Sequence, residues 1–240
     1  RDYLIPKPLD PRLITTISPA VAKAAIESGG AKNKIEDWDK YHVELQQRIG
    51  IDEKLISRVI SRARKNPKRV VFAEAHDIKV LKAAQIIQDE GIAKPILLGR
   101  KDVIQSLVEE HTLELSGCEI IDNYNENDRI HTYGDALYEK RKRKGLTKYD
   151  SVKLMRERNY FGCMMVEKGE ADAFISGLTK DYPKTILPAL QVIGTSEEHQ
   201  RVAGMYIMIN KKGTFFFSDT TVNVDPDPEQ MADIIHMTSR

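Results

Sequence analysis

The spacing of hydrophobic residues divides the sequence near residue 68 into two parts with different patterns. The first part predicts only helices, because its apolar residues recur three and four positions apart. The first of three predicted helices begins at Ser18-Pro19. The second runs over about 36–49 and the third over about 53–65. Residues 1–17 contain three prolines and are predicted to be extended and irregular. Asn66-Pro67 breaks the third helix, and no strand pattern comes before residue 69.

From residue 69 onward, apolar runs of strand length alternate with stretches of helical periodicity. Strands are predicted at 69–73, 95–98, 119–121 and 173–175. Helices are predicted after Asp77 and at about 101–110, 127–144, 148–157, 160–168 and 183–194. The runs 202–209 and 214–218 predict a hairpin, and Asp227-Pro228 predicts the start of a capped helix. The alternation favours an α/β fold with a largely parallel sheet and helices on both of its faces.

Composition excludes several classes of protein. The 240 residues are 41% hydrophobic, which is enough to bury a core, and 37 basic residues balance 36 acidic ones. We therefore expect no nucleic-acid partner, and no apolar stretch is long enough for a membrane span. Cys118 and Cys163 are far apart, which is typical of a reducing compartment, and we expect a cytoplasmic protein. The chain starts at Arg1 and ends inside a predicted helix, so we expect a fragment.

Common cofactor and catalytic motifs are missing from the sequence. It contains no GxGxxG, no GxxxxGK[ST] and no GxSxG, and no two histidines are four residues apart. Two distant cysteines make a zinc site unexpected, so no metal ligand is predicted.

Four segments remain as candidates for chemistry. The basic run Lys140–Gly145 suits the phosphates of a ligand such as coenzyme A, although composition alone favours a solvated helix end. Ser176–Thr179 follows a strand, where free N–H groups suit an anion and a plain turn is equally expected. Phe217–Asn223 also follows a strand, and here a turn is slightly favoured over a substrate site. Asn159–Met165 suits an apolar core better than a cofactor pocket.

Several stretches resemble phosphotransacetylases, and the start of the chain resembles another family. The first group comprises KNPKRVVFAEA (65–75), Lys142–Gly145, NYFGCMMVEKGEADAFISG (159–177), PALQVI (188–193) and FFFSDTTVNVDPDPEQMADI (215–234). YLIPKPLDPRLITTISPAVAKAAIESGGA (3–31) resembles the end of the catalytic part of bacterial malic enzymes. In this order, the two pieces resemble the hybrid NADP-dependent malic enzymes, in which a phosphotransacetylase-like domain follows the malic domain.

The resemblance implies a three-layer α/β/α phosphotransacetylase-like fold, also described as isocitrate/isopropylmalate dehydrogenase-like. The fold is expected to be truncated and preceded by a helical linker. The predicted domains are the malic-enzyme tail and linker at 1–50, a first subdomain at 51–147 and an incomplete second subdomain at 148–240.

The resemblance also implies which residues bind the ligand. One family arginine is matched by Arg141, but the arginine that precedes the family's Pro-Ala-Leu motif is replaced by Leu187. This change removes a bidentate phosphate clamp, so the domain is not expected to transfer acetyl groups. The resemblance places the family's Ser/Arg/Asp set and the malic-enzyme site outside this stretch, so no catalytic residue is assigned within this chain. The residues expected to bind acetyl-CoA or phosphate are Arg141, Ser176, Gly177, Thr179, Asp219 and Asn223.

The resemblance therefore implies a non-catalytic regulatory and oligomerisation module of an NADP-dependent malic enzyme. Such an enzyme decarboxylates (S)-malate oxidatively to pyruvate and CO2, and its NADP and Mg²⁺ or Mn²⁺ bind outside this stretch. The module is expected to bind acetyl-CoA as an effector and to form at least a homodimer. One alternative is an active phosphate acetyltransferase, with Arg143 or Lys184 supplying the missing charge. Another is a pure oligomerisation domain with a vestigial pocket.

Overall fold

The structure of the protein is a computed structural model that describes residues 12–49, 51–196, 198–199, 201–210, 213–219 and 221–239. The chain divides into two compact units, Ser61–Arg201 and Arg1–Ile60 together with Val202–Arg240. The predicted extended start of the chain lies, up to residue 11, outside the described residues. The predicted domain boundaries at residues 50 and 147 stay predictions.

Helices and strands follow one another in the predicted order. The helices of the described residues are α1 (Arg12–Glu27), α2 (Trp38–Ile49), α3 (Ile51–Lys65), α4 (Ile78–Asp89), α5 (Lys101–Glu110), α6 (Asn127–Arg141), α7 (Lys148–Leu154), α8 (Arg158–Glu167), α9 (Tyr182–Val192) and α10 (Pro228–Thr238). A short 3₁₀ turn at Lys142–Lys144 follows α6. The strands are β1 (Lys68–Phe72), β2 (Ala93–Leu98), β3 (Glu119–Ile121), β4 (Ala173–Ile175), β5 (Met205–Asn210) and β6 (Gly213–Ser218).

The unit Ser61–Arg201 is built on a parallel sheet with the strand order β3-β2-β1-β4. Val71 of β1 pairs with Ile96 of β2 on one side and with Phe174 of β4 on the other. The chain passes from β1 to β2 and β3 on one side and then returns to place β4 on the opposite side of β1. The winding direction therefore reverses between β1 and β4, and ligands of open α/β sheets bind at such a reversal.

Alternate residues of β1, β2 and β3 contribute to two separate hydrophobic cores. Val71 and Leu98 face a cluster that includes side chains of α6, α8 and α9. Phe72 and Leu97 face a second cluster with side chains of α4 and α5. A strand that is apolar on both faces must be covered on both, so the sheet is the middle of three layers. The predicted α/β fold with helices on both faces of a parallel sheet is confirmed.

A glycine allows α8 to lie unusually close to β4. A Cβ atom at Gly162 would overlap the ring of Phe174 and would come within 3.2 Å of Leu98. Because such overlaps do not occur in folded proteins, only glycine fits at this point of α8.

The predicted N-terminal boundary of α1 is wrong. The helix begins at Arg12, so residues 12–17 are helical rather than extended, and Pro19 lies inside it. Proline removes only one hydrogen bond of the helix, and the remaining bonds carry the helix through this position. The helix packs against α2, where Lys23 Nζ lies 5.1 Å from the centre of the Trp38 ring, and it ends at Glu27, two residues before Gly29.

The hairpin of β5 and β6 differs from the parallel sheet because its apolar side chains are exposed. The strands pair antiparallel from Met205 with Ser218 to Asn210 with Gly213, which confirms the predicted hairpin. Tyr206, Ile207, Phe216 and Phe217 are each about half exposed. The capped helix start predicted at Asp227-Pro228 is confirmed, and Asp227 and Gln230 form a capping box that opens α10.

Candidate functional site

The loops that follow β1 and β4 lie side by side at the carboxyl edge of the parallel sheet. Val71 and Phe72 pair in register with Phe174 and Ile175, so residues 73–77 and 176–181 leave the sheet together. This edge is also where the winding direction of the sheet reverses. Both features favour a ligand site here.

Glu74 is the central residue of this edge. Its side chain is 3% exposed, and its carboxylate accepts hydrogen bonds from the loop after β4. The backbone N–H groups of Gly177 and Leu178 donate to Oε2 at 2.9 and 2.8 Å. The N–H and hydroxyl groups of Thr179 donate to Oε1 at 2.8 and 2.6 Å. A protein carboxylate thus fills the turn that the sequence offers to a ligand anion.

These hydrogen bonds keep Glu74 ionised in spite of its burial. Burial raises the pKa of the carboxyl, but the bonds from Thr179, Leu178 and Gly177 together lower it below the ordinary value. The expectation of free N–H groups in this turn is therefore wrong, because these donors already satisfy a buried charge. Direct contacts of Ser176, Gly177 and Thr179 with a ligand stay a prediction.

Ser176 is joined to α8 rather than to Glu74. Its hydroxyl donates to Oδ1 of Asn159 at 3.0 Å, and Asn159 Nδ2 donates to the Lys184 carbonyl at 3.3 Å. Asn159 is buried and lies in the first turn of α8. Beside it, Arg158 contacts the ring of His76 in the loop after β1. Burial lowers the pKa of His76 and the charge of Arg158 lowers it further, so the imidazole is neutral at pH 7.

A pocket of about 290 Å³ opens next to Asn159, and we call it the Leu187 pocket. Its wall includes Glu157, Asn159, Tyr160, Lys180, Lys184 and Leu187. Leu187 is 46% exposed. This apolar side chain occupies the position where the resemblance implies an arginine.

Both lysines of the Leu187 pocket are paired with carboxylates. Lys180 Nζ lies 2.8 Å from Glu157 Oε2, and Lys184 Nζ lies 3.1 Å from Asp181 Oδ2. The pocket has cations, and each of them already has a carboxylate partner.

The basic run after α6 is only partly available to a ligand. Lys140 donates to the Val192 carbonyl at 2.6 Å, and Lys142 pairs with Glu139. Arg141 ends α6 and lies near enough to Tyr160 for its charge to act on the phenol. Burial raises the pKa of Tyr160, and Arg141 opposes that change. Arg141 is not among the residues that line the Leu187 pocket, although its charge acts on Tyr160, which lines it.

Asp219 and Asn223 lie in the other unit and contact each other. The Asp219 carboxylate accepts from the N–H groups of Val222 at 3.1 Å, Asn223 at 2.9 Å and Gly204 at 3.3 Å. Burial raises the pKa of Asp219, but these bonds lower it below the ordinary value. The two side chains organise their own loop, and their contact with a ligand stays a prediction.

Cys163 is buried in the core, and burial raises its pKa to about 12, so the thiol is not a nucleophile at pH 7. Within the described residues, no group of three or more His, Cys, Asp or Glu side chains is placed to hold a metal ion. The helices of the described part of the chain also lack the length and apolar character of a membrane span.

The model of the family described as phosphate acetyl/butaryl transferase matches residues 54–240. The chain belongs to this family. A phosphotransacetylase from Streptococcus pyogenes shares the fold with a TM-score of 0.70 and 29% identity, over 76% of this chain and 56% of that one. These findings confirm the predicted phosphotransacetylase-like fold.

Curated relatives fall into two groups. The NADP-dependent malic enzyme of Salmonella typhimurium is 38% identical over 99% of this chain and 32% of its own length. The phosphate acetyltransferase of Acetivibrio thermocellus is 33% identical over 77% of this chain and 57% of its own length. The predicted resemblance to both families is confirmed. The chain spans about a third of the malic enzymes and little more than half of the phosphate acetyltransferases that it matches.

Glu74 is not among the site residues predicted from the sequence, although a simple pattern points to it. Glu74 directly follows the buried stretch RVVFA, as Ser176 follows AFI. The rule that selected Ser176, a polar residue at the carboxyl end of a predicted parallel strand, applies equally to Glu74.

Proposed function

We propose that this chain is the phosphotransacetylase-like regulatory and oligomerisation module of a cytoplasmic NADP-dependent malic enzyme. The module binds acetyl-CoA at the carboxyl edge of its sheet and transfers no acetyl group. The observation that carries the proposal is Leu187, an apolar side chain in the wall of the pocket beside that edge.

Leu187 argues against acyl transfer because the reaction develops negative charge. Phosphate and acyl-phosphate chemistry depends on fixed cations that meet this charge in the transition state. An isobutyl group offers none, and Lys180 and Lys184 are already paired with Glu157 and Asp181. The pocket is therefore better suited to holding a ligand than to transforming it.

Acetyl-CoA binding is supported by the remaining features of the pocket. Leu187 and Tyr160 offer apolar surface for the acyl end, and Arg141 adds positive charge near Tyr160. Pockets that combine apolar walls with a few polar groups are typical small-molecule sites. Ser176, Gly177 and Thr179 shape the edge beside the pocket through their bonds to Asn159 and Glu74.

Regulation follows if acetyl-CoA prefers one state of the whole enzyme. That enzyme oxidises (S)-malate to pyruvate and CO2 with NADP and Mg²⁺ or Mn²⁺, which bind in its malic part. A ligand at a separate site changes this activity only by its different affinities for the enzyme's states. The similarity to NADP-dependent malic enzymes over 99% of the chain supports this setting.

Self-association is supported by the exposed apolar residues of the β5–β6 hairpin. Large hydrophobic side chains stand exposed on both strands, and patches of this kind mark interaction surfaces. We propose at least a homodimer. Sedimentation of the chain at micromolar concentration checks this, and a single species of 27.3 kDa contradicts it.

An active phosphate acetyltransferase is the second candidate, and Lys184 is the observation that favours it. Lys184 shares the Leu187 pocket and would serve as the missing cation if Asp181 released it. A whole-enzyme assay for acetyl phosphate formation from acetyl-CoA and phosphate decides between the two. Robust formation overturns the non-catalytic proposal.

The main experiment measures malate oxidation by the whole enzyme with and without acetyl-CoA. We expect acetyl-CoA to change the rate, and Arg141→Ala to reduce that change. Lys144→Ala is the matched control, because Lys144 is an exposed cation of the adjoining 3₁₀ turn. An acetyl-CoA effect that is equal in all three proteins refutes the role of Arg141. If acetyl-CoA neither binds nor changes the rate, the remaining alternative is a pure oligomerisation domain.

A further inference from the structure

The last turn of α3 is tied to the end of α4 by one arginine side chain. Arg64 Nε donates to the Glu90 carbonyl at 2.7 Å, and Arg64 Nη2 lies 3.3 Å from Oε2 of the same glutamate. Glu90 is the C-cap residue of α4. A single guanidinium therefore holds both the backbone and the side chain of one residue in another helix. We call this the Arg64–Glu90 contact.

The end of α4 is shaped so that the Glu90 carbonyl receives its donor from outside the helix. The N–H groups of Gly91 and Ile92 close α4 by donating to carbonyls of its last turn, each at 3.0 Å, and Gly91 adopts φ +64°. These bonds satisfy carbonyls that lie before Glu90, and the Glu90 carbonyl itself accepts from Arg64. A positive charge at this end of a helix also complements the helix dipole. Arg64 thus completes the C-terminal cap of α4.

The Arg64–Glu90 contact closes a short ring with the parallel sheet. Shortly after Arg64 the chain enters β1 at Lys68, which pairs in register with Ala93 of β2. Ala93 in turn follows Glu90 closely in the chain. The strand pair fixes one side of the ring, and the guanidinium fixes the other. Without the contact, the direction in which the last turn of α3 leaves the sheet would depend mainly on the Asn66-Pro67 connection.

Apolar packing holds α3 less firmly than it holds the helices of the two cores. Ile56 and Val59 of α3 are 45% and 58% exposed, so burial of these side chains contributes little. An exposed ion pair alone would also contribute little. The Arg64–Glu90 contact is more than an ion pair, because its shorter bond goes to a backbone carbonyl.

The chain passes from one compact unit to the other inside α3. The division falls between Ile60 and Ser61, within the helix. The chain passes between the units a second time at Arg201 and Val202, where the backbone is irregular. Irregular segments absorb changes of backbone angle, whereas a continuous helix carries a shift of its end along its length. The last turn of α3 is therefore the better place to transmit a change.

We propose that the Arg64–Glu90 contact couples the parallel sheet to the chain before Ser61 and so carries the effect of a sheet-bound ligand on malate oxidation. The regulatory half of this proposal rests on the function proposed above. Arg64 and Glu90 are not among the residues that line the Leu187 pocket. Removing the contact should therefore change the response to a ligand without changing the affinity for it.

Amide exchange of the whole enzyme, followed by mass spectrometry, tests the contact itself. Arg64→Ala removes the guanidinium and keeps a residue of high helix propensity. We expect the protection of the amides of residues 64–66 to fall about five-fold, while the amides of β1 keep theirs. Glu90→Gln keeps the backbone carbonyl as an acceptor, so its effect should be smaller.

Arg62→Ala is the matched control, because Arg62 is an exposed cation in the same turn of α3. Far-UV circular dichroism verifies that the variants fold. If the amides of residues 64–66 are protected alike in Arg64→Ala and Arg62→Ala, the Arg64–Glu90 contact does not anchor α3 and the proposal is overturned.

Malate oxidation by the same proteins, with and without acetyl-CoA, tests the coupling. In Arg64→Ala we expect the acetyl-CoA effect on the rate to fall about three-fold. The affinity for acetyl-CoA and the rate without it should stay unchanged, a separation that a general loss of stability would not produce. Arg62→Ala should respond like the wild type.

The outcomes distinguish the coupling from the proposed function. If the wild type responds to acetyl-CoA and Arg64→Ala responds equally, the coupling is overturned and the proposed function survives. If the wild type shows no response, the proposed function fails and the coupling fails with it, while amide exchange still decides whether Arg64 anchors α3.

Discussion

Two loops of this chain are each organised by one carboxylate. The two carboxylates differ in how far they lie along the sequence from the residues that they bind. Asp219 belongs to the loop that it organises and accepts from Val222 and Asn223, three and four residues further on. Glu74 lies 103 residues before Gly177 and reaches its loop from the neighbouring strand. The first arrangement is mainly a local turn with one further bond from Gly204, whereas the second joins the loops that follow two neighbouring strands.

The comparison shows what each loop depends on. The Asp219 loop requires a left-handed backbone at φ +39°, which aspartate and asparagine tolerate better than most residues. The loop after β4 requires a tertiary fold that brings β1 and β4 together. Removing Glu74 should therefore affect more of the molecule than removing Asp219.

The largest effect is expected for Glu74→Ala. The change leaves three backbone N–H groups and the Thr179 hydroxyl without their acceptor, and we expect a loss of about 3 kcal/mol in the free energy of unfolding. Urea unfolding measures the loss. Amide exchange should speed up at residues 177–179 and stay unchanged at residues 222–223. If the amides of residues 177–179 and 222–223 are equally protected from exchange in the variant, the proposed role of Glu74 is contradicted.

Glu74→Gln should cost less, about 2 kcal/mol, because one acceptor oxygen remains. The loss should also depend on pH. The folded-state pKa of Glu74 is lowered, so its ionised form stabilises the fold fully above the ordinary value of 4.5, and this contribution is lost as the pH falls below it. The difference between wild type and variant should stay constant near neutral pH and shrink in acid. If the difference in the free energy of unfolding between wild type and variant does not change with pH, the charge of Glu74 plays no part in the stabilisation.

A smaller effect is expected for Asp219→Asn. Asparagine keeps the left-handed backbone and one acceptor, so the cost should be about 1 kcal/mol, reduced further by solvent. Amide exchange at residues 222–223 should speed up while residues 177–179 keep their protection. Asp219→Ala separates the effect of the lost hydrogen bonds from the effect of the left-handed backbone. It loses the backbone preference as well and should cost more than Asp219→Asn.

The smallest effect is expected for Ser176→Ala. It removes one hydrogen bond to Asn159 and should cost about 1 kcal/mol or less, since Asn159 keeps its bond to the Lys184 carbonyl. Thermal unfolding measures the cost. A loss as large as that of Glu74→Ala indicates that Ser176, rather than Glu74, holds the loop.

The sequence predicts strands and helices well where the pattern is local. The alternation of apolar residues identifies β1 and β2, and Asp227 with Gln230 marks the start of α10. Pro19 misleads because proline at a helix start and proline inside a helix look alike without tertiary context.

The site is less predictable, because its contacts join distant parts of the chain. Ser176 is selected from its place after a strand, but its partner Asn159 lies in a stretch that the sequence presents as apolar core. The same limit hides Glu74, since strand order decides that β1 adjoins β4 rather than some other strand. Local periodicity carries no information on that order.

Gly162 determines how closely α8 approaches β4 at this edge of the molecule. The absence of a single methyl group lets α8 rest directly on the ring of Phe174, and Asn159 stands one helical turn before that contact. If the helix were lifted by the width of a methyl group, Asn159 would leave the reach of the Ser176 hydroxyl, because hydrogen bonds weaken steeply beyond their normal length. The geometry of the candidate pocket thus depends on a residue that is not part of its wall.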